Sequence, residues 1–372
     1  MSEQLFHTAT APFEAALRVP ILPPGHRSNR LHGHSFTAQV RAELPTGWAP
    51  FDGAETDALR EALARCIAPL DYADLNAELP APTDENLARW VRDRLLGSLV
   101  VPGSVPAIAS VGIRSTAETG VDLDADDHAH LWHRFRFEAA HRLPNVPEGH
   151  QCGRMHGHGF EVILFADQDL AGADMGIDFD RIAAHWEPLG AELDHVCLND
   201  IPGLSNPTSE LLCQWLWQRV KPELPALSWV SVYETATAGC HFDGGHYRIW
   251  KDLRFEGALR LTRAPGGDRR RRLHGHSYLL RLHLSAPLDD VLGWTLDYGD
   301  VKTLFKPVYF QLDHHRLDQL PVLDGADPAR LALWIREQVA AELPQLERID
   351  LHQTPGCGVS LCWGSLGPAL PA

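Results

Sequence analysis

Four side chains in the middle of the chain have the types and spacing of a metal site beside a reactive thiol. His156 and His158 are separated by one glycine, and Cys152 lies four residues before the first of them. On a strand, residues two apart project from the same face, so both imidazoles can bind one ion. His141, near the end of the preceding predicted strand, can supply a third nitrogen. Three protein ligands and an open position predict a catalytic Zn²⁺ site, whereas a fourth would favour a structural one.

Further groups around this ion could move protons or hold a substrate. Cys152 lies in a glycine-flanked loop with Arg154, where a nearby dication and guanidinium would lower the pKa of the thiol, so that it could act as a base. Asp194 and His195 form an acid–imidazole pair suited to proton transfer. Glu234 follows a predicted strand, where its carboxylate could accept two hydrogen bonds from an amino-heterocycle such as a pterin.

Each of these residues also has an ordinary structural interpretation. The pattern His-x-His is common, a free cysteine is usually a small buried hydrophobe, and a lone Glu or His at the end of an element is usually solvated. An internal comparison weakens these interpretations, because the His-Gly-His triplet occurs two more times, at residues 32–34 and 274–276.

The whole surrounding segment is repeated with the triplet. A block beginning Phe-Glu occurs at Phe13, Phe137 and Phe255, and the gap from its fifth residue to the first triplet His is fifteen residues in every copy. The period of about 120 residues is that of a whole small domain. We therefore expect three tandem units, at residues 1–130, 131–250 and 251–372.

Only the middle unit carries the complete set of reactive groups. The equivalents of His141, Cys152 and Glu234 are Leu17, Ser28 and Ser115 in the first unit and Leu259, Arg270 and Gln353 in the third. The outer triplets are therefore expected to be metal-free remnants. The acid–imidazole pair is retained in the third unit as Asp313-His314 but becomes Asp71-Tyr72 in the first.

Hydrophobic patterning predicts the same α+β order, β-β-α-α-β-β, for each unit. In the middle unit the predicted strands are 131–142, 159–167, 228–236 and 246–250, and the predicted helices are 179–190 and 208–220. Thr208 is the expected N-cap of the second helix, with Glu210 in its first turn. A lone four-stranded sheet has two open edges. Three such sheets joined edge to edge would close into a twelve-stranded antiparallel barrel with helices outside.

Composition excludes several classes of partner. The net charge of −16 argues against a nucleic-acid surface and against an acidic membrane leaflet. No stretch approaches a membrane span, and the N-terminus lacks the pattern of a signal peptide. Seven scattered cysteines favour reduced thiols and a cytoplasmic location. An anionic substrate would need local cations; the arginine run from Arg269 to Arg272 is a weaker candidate for that role than for a solvated loop.

Residues of about 135–242 resemble the 6-carboxy-5,6,7,8-tetrahydropterin synthases, relatives of the 6-pyruvoyl-tetrahydropterin synthases in the tunnelling-fold superfamily. The resemblance rests on the segments FEAAHRLPNVPEGHQCGRMHGHGF, LDHVCLNDIPGLSNPTSE and ETATAGC. It implies a barrel of three units, a second barrel stacked on the first, and therefore a homodimer of this fused chain. It also implies that the Asp-His pair comes from a neighbouring unit, for which we expect Asp313 and His314, with Asp194 and His195 as the competing pair.

The resemblance further implies conversion of 7,8-dihydroneopterin triphosphate to 6-carboxytetrahydropterin, with release of acetaldehyde and triphosphate, in queuosine biosynthesis. Zinc would be held by His141, His156 and His158, Cys152 would move a proton, and Glu234 would bind the pterin. Arg154 is one candidate for the phosphates. A 6-pyruvoyl-tetrahydropterin synthase, a non-catalytic pterin-binding scaffold and a structural zinc protein are the alternatives.

Overall fold

The computed structural model describes residues 3–99, 106–320, 323, 325–364 and 366–368. The chain repeats one arrangement of strands and helices three times. The first repeat comprises β1 (Gln4–Leu17), β2 (His32–Glu43), α1 (Glu55–Ile67), β3 (Ala73–Asp74), α2 (Asp84–Leu99), β4 (Ala107–Arg114) and β5 (Thr119–Asp124). The second comprises β6 (His128–His141), β7 (His156–Asp169), α3 (Phe179–Leu193), β8 (Val196–Cys197), α4 (Ser209–Val220), β9 (Leu227–Thr235) and β10 (Ala238–Phe242). The third comprises β11 (Tyr247–Leu259), β12 (His274–Ser285), α5 (Tyr298–Leu312), β13 (His315–Arg316), α6 (Pro328–Val339), β14 (Leu346–Thr354) and β15 (Cys357–Cys362).

Twelve of these strands form a closed antiparallel barrel, as the sequence predicted. Their order is β10-β9-β7-β6-β5-β4-β2-β1-β15-β14-β12-β11, and the pairing of β10 with β11 closes the ring. The last strand of each repeat therefore pairs with the first strand of the next. The short strands β3, β8 and β13 lie parallel against β1, β6 and β11, near the ends at Leu17, His141 and Leu259.

One predicted strand was wrong. The segment 246–250 was expected to close the second unit, but it belongs to the long first strand of the third repeat, β11, and the hairpin partner of β9 is β10. Ile249 and Trp250 in this segment are fully buried. Local hydrophobicity therefore indicates a strand here but not the unit to which it belongs.

The helices cover the outer face of the barrel and form the core with it. Leu280, Leu282 and Leu284 of β12 are buried in this core, and the alternate residues Arg281 and His283 point to the opposite face. The inner face carries paired charges, such as Arg281 with Asp252 and Arg348 with Asp350. Ion pairing satisfies these buried charged groups. The closed sheet can therefore bury charged side chains on its inner face and apolar side chains against the helices on its outer face.

Candidate active site

Strand register brings the three predicted zinc histidines together. His141 at the end of β6 is paired directly with His156 at the start of β7, and His158 lies two residues further along the same face. The ring centres of His141 lie 4.5 Å from His156 and 5.2 Å from His158, and those of His156 and His158 are 5.0 Å apart. Three imidazoles thus converge without any strained backbone in the strands.

Hydrogen bonds orient these rings for metal binding. The Nδ1 atoms of His141 and His156 lie 3.0 and 2.8 Å from the carbonyl oxygens of Pro207 and Arg154. A carbonyl only accepts, so Nδ1 carries the proton and the Nε2 lone pair is left free. Among the described residues, Nε2 of His141 and of His158 is buried without a hydrogen-bond partner. Burial also lowers the pKa of both rings, which favours the neutral form that binds a metal. The donor set fits a divalent ion such as Zn²⁺.

Glu234 lies directly beside the imidazoles of His141 and His158. Its Oε1 is 3.8 Å from Nε2 of His141 and 3.5 Å from Nε2 of His158, and the four groups could share one ion. Its Oε2 accepts a hydrogen bond of 2.7 Å from the hydroxyl of Ser209, the first residue of α4. The carboxylate can therefore balance the charge of the ion as well as accept hydrogen bonds from a substrate.

Cys152 lies in a short turn that is attached to the third repeat. The backbone N–H of Cys152 donates to Nδ1 of His150, and Nε2 of His150 lies 3.2 Å from Asp297, the N-cap of α5. Burial raises the pKa of the Cys152 thiol, and the carboxylates of Glu234 and Asp297 raise it further. The pKa was expected to be lowered by a metal ion together with Arg154; the Arg154 side chain is exposed, and the charged groups that shift the pKa of the thiol here are the two carboxylates. A bound dication is therefore what could favour the thiolate.

A cavity of about 490 Å³ joins these groups to the third repeat. His156, His158, Cys152 and Glu234 line it from one side, and residues 294, 296–299 and 302 line it from the other. The seam is fixed by hydrogen bonds: Thr208 donates to the carbonyl of Gly293 at 2.5 Å, and the N–H of Thr295 donates to Glu210 at 2.8 Å. Thr208 also caps α4, as predicted. The site is therefore built between two repeats.

The two acid–imidazole pairs lie outside this cavity. Asp194 and Asp313 accept the backbone N–H groups of Glu138 and Glu256, and each hydrogen-bonds its neighbouring histidine, at 2.8 and 2.9 Å. Both histidines have left-handed backbones, with φ of 57° and 58°, and both side chains are 77% exposed. Asp313 raises the pKa of His314, which keeps that ring protonated to a higher pH.

The equivalent places in the outer repeats are filled differently. Leu17 and Leu259 are buried opposite His32 and His274 and offer no ligand atom. Between the third and first repeats, Arg270 occupies the position of Cys152. Its guanidinium hydrogen-bonds Asp268 at 2.7 Å and lies 3.5 Å from Asp57. A cavity of about 230 Å³ remains there, and a guanidinium stands where the middle site has its thiol.

The first repeat keeps a hydroxyl–carboxylate pair with the two residues exchanged. Asp84, at the start of α2, corresponds to Ser209, and Ser115 corresponds to Glu234; Ser115 donates to Asp84 at 2.8 Å. Burial is the main cause that raises the pKa of Asp84 from 3.8 to about 7, with Glu85 adding to it. This carboxyl group is therefore protonated in the folded protein at mildly acidic pH.

This gives a prediction for stability against pH. Because folding raises the pKa of Asp84, the folded state holds a proton between about pH 4 and pH 7 that the unfolded state releases, so stability falls as pH rises through that window. Asp84→Asn, which mimics the neutral acid, should be more stable than the parent at pH 8 by about 4 kcal/mol, the free energy that corresponds to a pKa raised from 3.8 to about 7, with a higher unfolding temperature, and should match the parent at pH 4. Thermal unfolding at both pH values measures this, and an equal difference at both would contradict it.

Comparison with known proteins identifies the fold and the family. The sequence profile described as 6-pyruvoyl tetrahydropterin synthase matches three times, at residues 7–125, 130–245 and 248–362. The chain belongs to this family. A relative from Synechocystis sp. named 6-carboxy-5,6,7,8-tetrahydropterin synthase is 38% identical over 119 residues, which are 30% of this chain and 91% of the relative.

Two further known proteins are similar to parts of the chain. A dihydroneopterin monophosphate aldolase from Pyrococcus furiosus is 30% identical over 94 residues, covering 24% of this chain and 79% of the relative. The solved 6-pyruvoyl tetrahydropterin synthase of Caenorhabditis elegans has 19% identity and a TM-score of 0.29, covering 32% of this chain and 95% of that one. Each match has the size of one repeat.

Several residues at the site were missed by sequence reasoning. His150 and Asp297 fix the Cys152 turn, Ser209 holds Glu234, and Lys251 and Lys302 line the same cavity. A signal was present for the lysines, because neither outer repeat has a lysine at the equivalent positions. Their convergence could be recognised only once the barrel was closed.

Proposed function

We propose that the chain converts 7,8-dihydroneopterin triphosphate to 6-carboxy-5,6,7,8-tetrahydropterin, releasing acetaldehyde and triphosphate, in the pathway to queuosine. One observation carries the proposal: three imidazoles and a carboxylate of the second repeat cluster beside a cavity that the Cys152 thiol also lines, at the seam with the third repeat. Family membership supports a pterin synthase, and the relative from Synechocystis sp. supports the carboxy product. The absence of a membrane-spanning helix among the described residues and seven free cysteines support the cytoplasm as the location.

The position of each residue in the site indicates its role in the proposed reaction. His141, His156 and His158 would hold Zn²⁺, which as a Lewis acid lowers the pKa of hydroxyls on the substrate side chain. Cys152, on the adjoining turn, removes and returns the proton at the neighbouring carbon. Glu234 accepts hydrogen bonds from the pterin ring while Ser209 fixes one of its oxygens. With the pterin ring held by Glu234, the side chain of the substrate would lie beside the Cys152 thiol.

Mass analysis of the products formed from 7,8-dihydroneopterin triphosphate tests this function. We expect 6-carboxytetrahydropterin and acetaldehyde in equal amounts. A pyruvoyl product would instead show a 6-pyruvoyl-tetrahydropterin synthase, and glycolaldehyde triphosphate would show aldolase cleavage of the kind that the name of the Pyrococcus relative indicates. The absence of any turnover by the zinc-loaded protein would reject all three and favour a binding scaffold.

We also propose that two chains stack at the barrel end that carries the histidine triplets. Each triplet follows an exposed apolar residue: Leu31, Met155 and Leu273 are 56%, 55% and 50% exposed. Strands β8 and β13, which follow the two acid–imidazole pairs, lie at this same end. A homodimer would cover this apolar ring and bring the exposed imidazoles towards the other barrel. Our proposal is that Asp313 and His314 of one chain serve Cys152 of the other.

Mixing two inactive variants tests this arrangement. Cys152→Ala and His314→Ala should each lose at least about 100-fold in kcat, whereas His195→Ala should stay near the parent. A co-refolded mixture of the two inactive chains should recover activity, because a mixed dimer then contains one intact pair of groups. An active His314→Ala protein would contradict the assignment. No recovery in a mixture that does form mixed dimers would show that the pair acts within its own chain.

A further inference from the structure

Two lysines of the third repeat line the cavity at its seam with the second repeat. Lys251 lies on β11, paired with Ala238 of β10, and Lys302 lies in the second turn of α5. Both line the cavity together with Cys152, His158 and Glu234. We propose that Lys251 and Lys302 form the subsite for the phosphate chain of the substrate; this inference rests on the proposed function.

The surroundings of the Lys251 and Lys302 ammonium groups suit the binding of an anion. Lys251 is half-buried and its Nζ donates to the hydroxyl of Thr237 at 2.9 Å, so its orientation is fixed by a neutral partner. Within the described part of the chain, no ion pair with a carboxylate is formed by either lysine. Burial lowers the pKa of Lys251, and the positive charge of Lys302 lowers it further, so the two cations are close enough to repel each other. A bound polyanion would relieve that repulsion.

The outer repeats provide an internal comparison. The equivalents of Lys251 are Ala9 and His133, and those of Lys302, counted back from Asp71, Asp194 and Asp313, are Arg60 and Ala183. Arg60 lines the cavity between the third and first repeats and lies 3.5 Å from Asp57, whereas Ala9 is buried in the core and carries no charge. The pair of lysines therefore occurs only at the seam that also has the thiol and the third histidine. If the two lysines only joined neighbouring repeats, we would expect such a pair at the other seams too, where the reactive groups are absent.

Arg154, the earlier candidate for the phosphates, also lines the cavity. It has counterparts in both outer repeats, Arg30 and Arg272. An arginine present in all three copies does not distinguish this cavity from the outer ones. In a chain of net charge −16, a triphosphate needs local cations, and the two lysines are the cations specific to this cavity.

Binding of inorganic tripolyphosphate to the zinc-loaded protein tests the subsite without depending on turnover. We expect Lys251→Gln and Lys302→Gln each to weaken binding about tenfold in calorimetry, with a KM for the triphosphate substrate that rises similarly. Binding of unphosphorylated dihydroneopterin should be unchanged. Lys306→Gln, which alters an exposed lysine one turn further along α5 that does not line the cavity, is the matched control.

The outcomes separate this inference from the proposed function. Selective loss in the two cavity variants supports the subsite even if the reaction product differs from the proposed one. Equal loss in all three variants would show a general effect of charge and overturn the subsite, as would a parent protein that does not bind tripolyphosphate. Zinc content and unfolding temperature, measured for each variant, identify any loss that comes from misfolding.

Discussion

Replacing Cys152 with serine is expected to lower kcat about 1,000-fold while leaving the zinc content unchanged. Serine keeps the size and the turn, but its hydroxyl has a far higher pKa than a thiol and cannot move the proton at the same rate. The environment of Cys152 makes this sharper. Burial, Glu234 and Asp297 already raise the pKa of the thiol. A serine hydroxyl in the same surroundings would be still harder to deprotonate.

Single-turnover kinetics with metal analysis measure this effect. Cys197→Ser is the matched control, because Cys197 is also a half-buried free thiol of the second repeat but does not line the cavity. That variant should retain parental activity. A Cys152→Ser protein within about tenfold of the parent would mean that another group moves the proton, and the assignment of the thiol would be withdrawn.

Replacing His141 with leucine should remove both zinc and activity. The change converts the middle repeat to the residue found in the outer repeats, where Leu17 and Leu259 are buried at the same register position. The fold therefore tolerates leucine here, and the loss can be assigned to the missing ligand. Two imidazoles and a carboxylate hold zinc far more weakly than the full set, so we expect at least about a 100-fold loss of metal affinity.

Metal analysis after dialysis, together with thermal unfolding, checks this prediction. His276→Ala, which removes the third-repeat counterpart of His158, is the control and should keep zinc and turnover. Parental zinc content in His141→Leu would contradict the ligand assignment. Zinc loss in His276→Ala would show that an outer triplet also binds metal.

The repeats explain why so much of this site could be predicted. Equal gaps between the Phe-Glu blocks and the triplets established three copies, and three copies of a β-β-α-α-β-β unit lead to one closed barrel. The contrast of His141 with Leu17 and Leu259 selected the middle repeat. The structure places the selected histidines, Cys152 and Glu234 at one site because β6 and β7 pair in the register that alternation requires.

The remaining features depend on contacts between repeats. Lys302 and Asp297 reach the cavity from α5, more than 140 residues from Cys152 in the chain, and the local pattern around them is that of an ordinary helix start. Asp297 is one of the groups that raise the pKa of Cys152, and it could not be recognised as a neighbour from the sequence. The proximity of Glu234 to the imidazoles depends instead on the pairing of β7 with β9 within the second repeat.

The central claim is that three repeats make one metal centre, and counting zinc in the purified wild-type chain tests it most directly. Elemental analysis against protein concentration should give about one zinc per chain, whatever the oligomeric state. About three zinc ions per chain would mean that the outer triplets bind metal without a third histidine. A chain that binds none, after purification without chelators and with zinc supplied, would contradict the metal centre altogether.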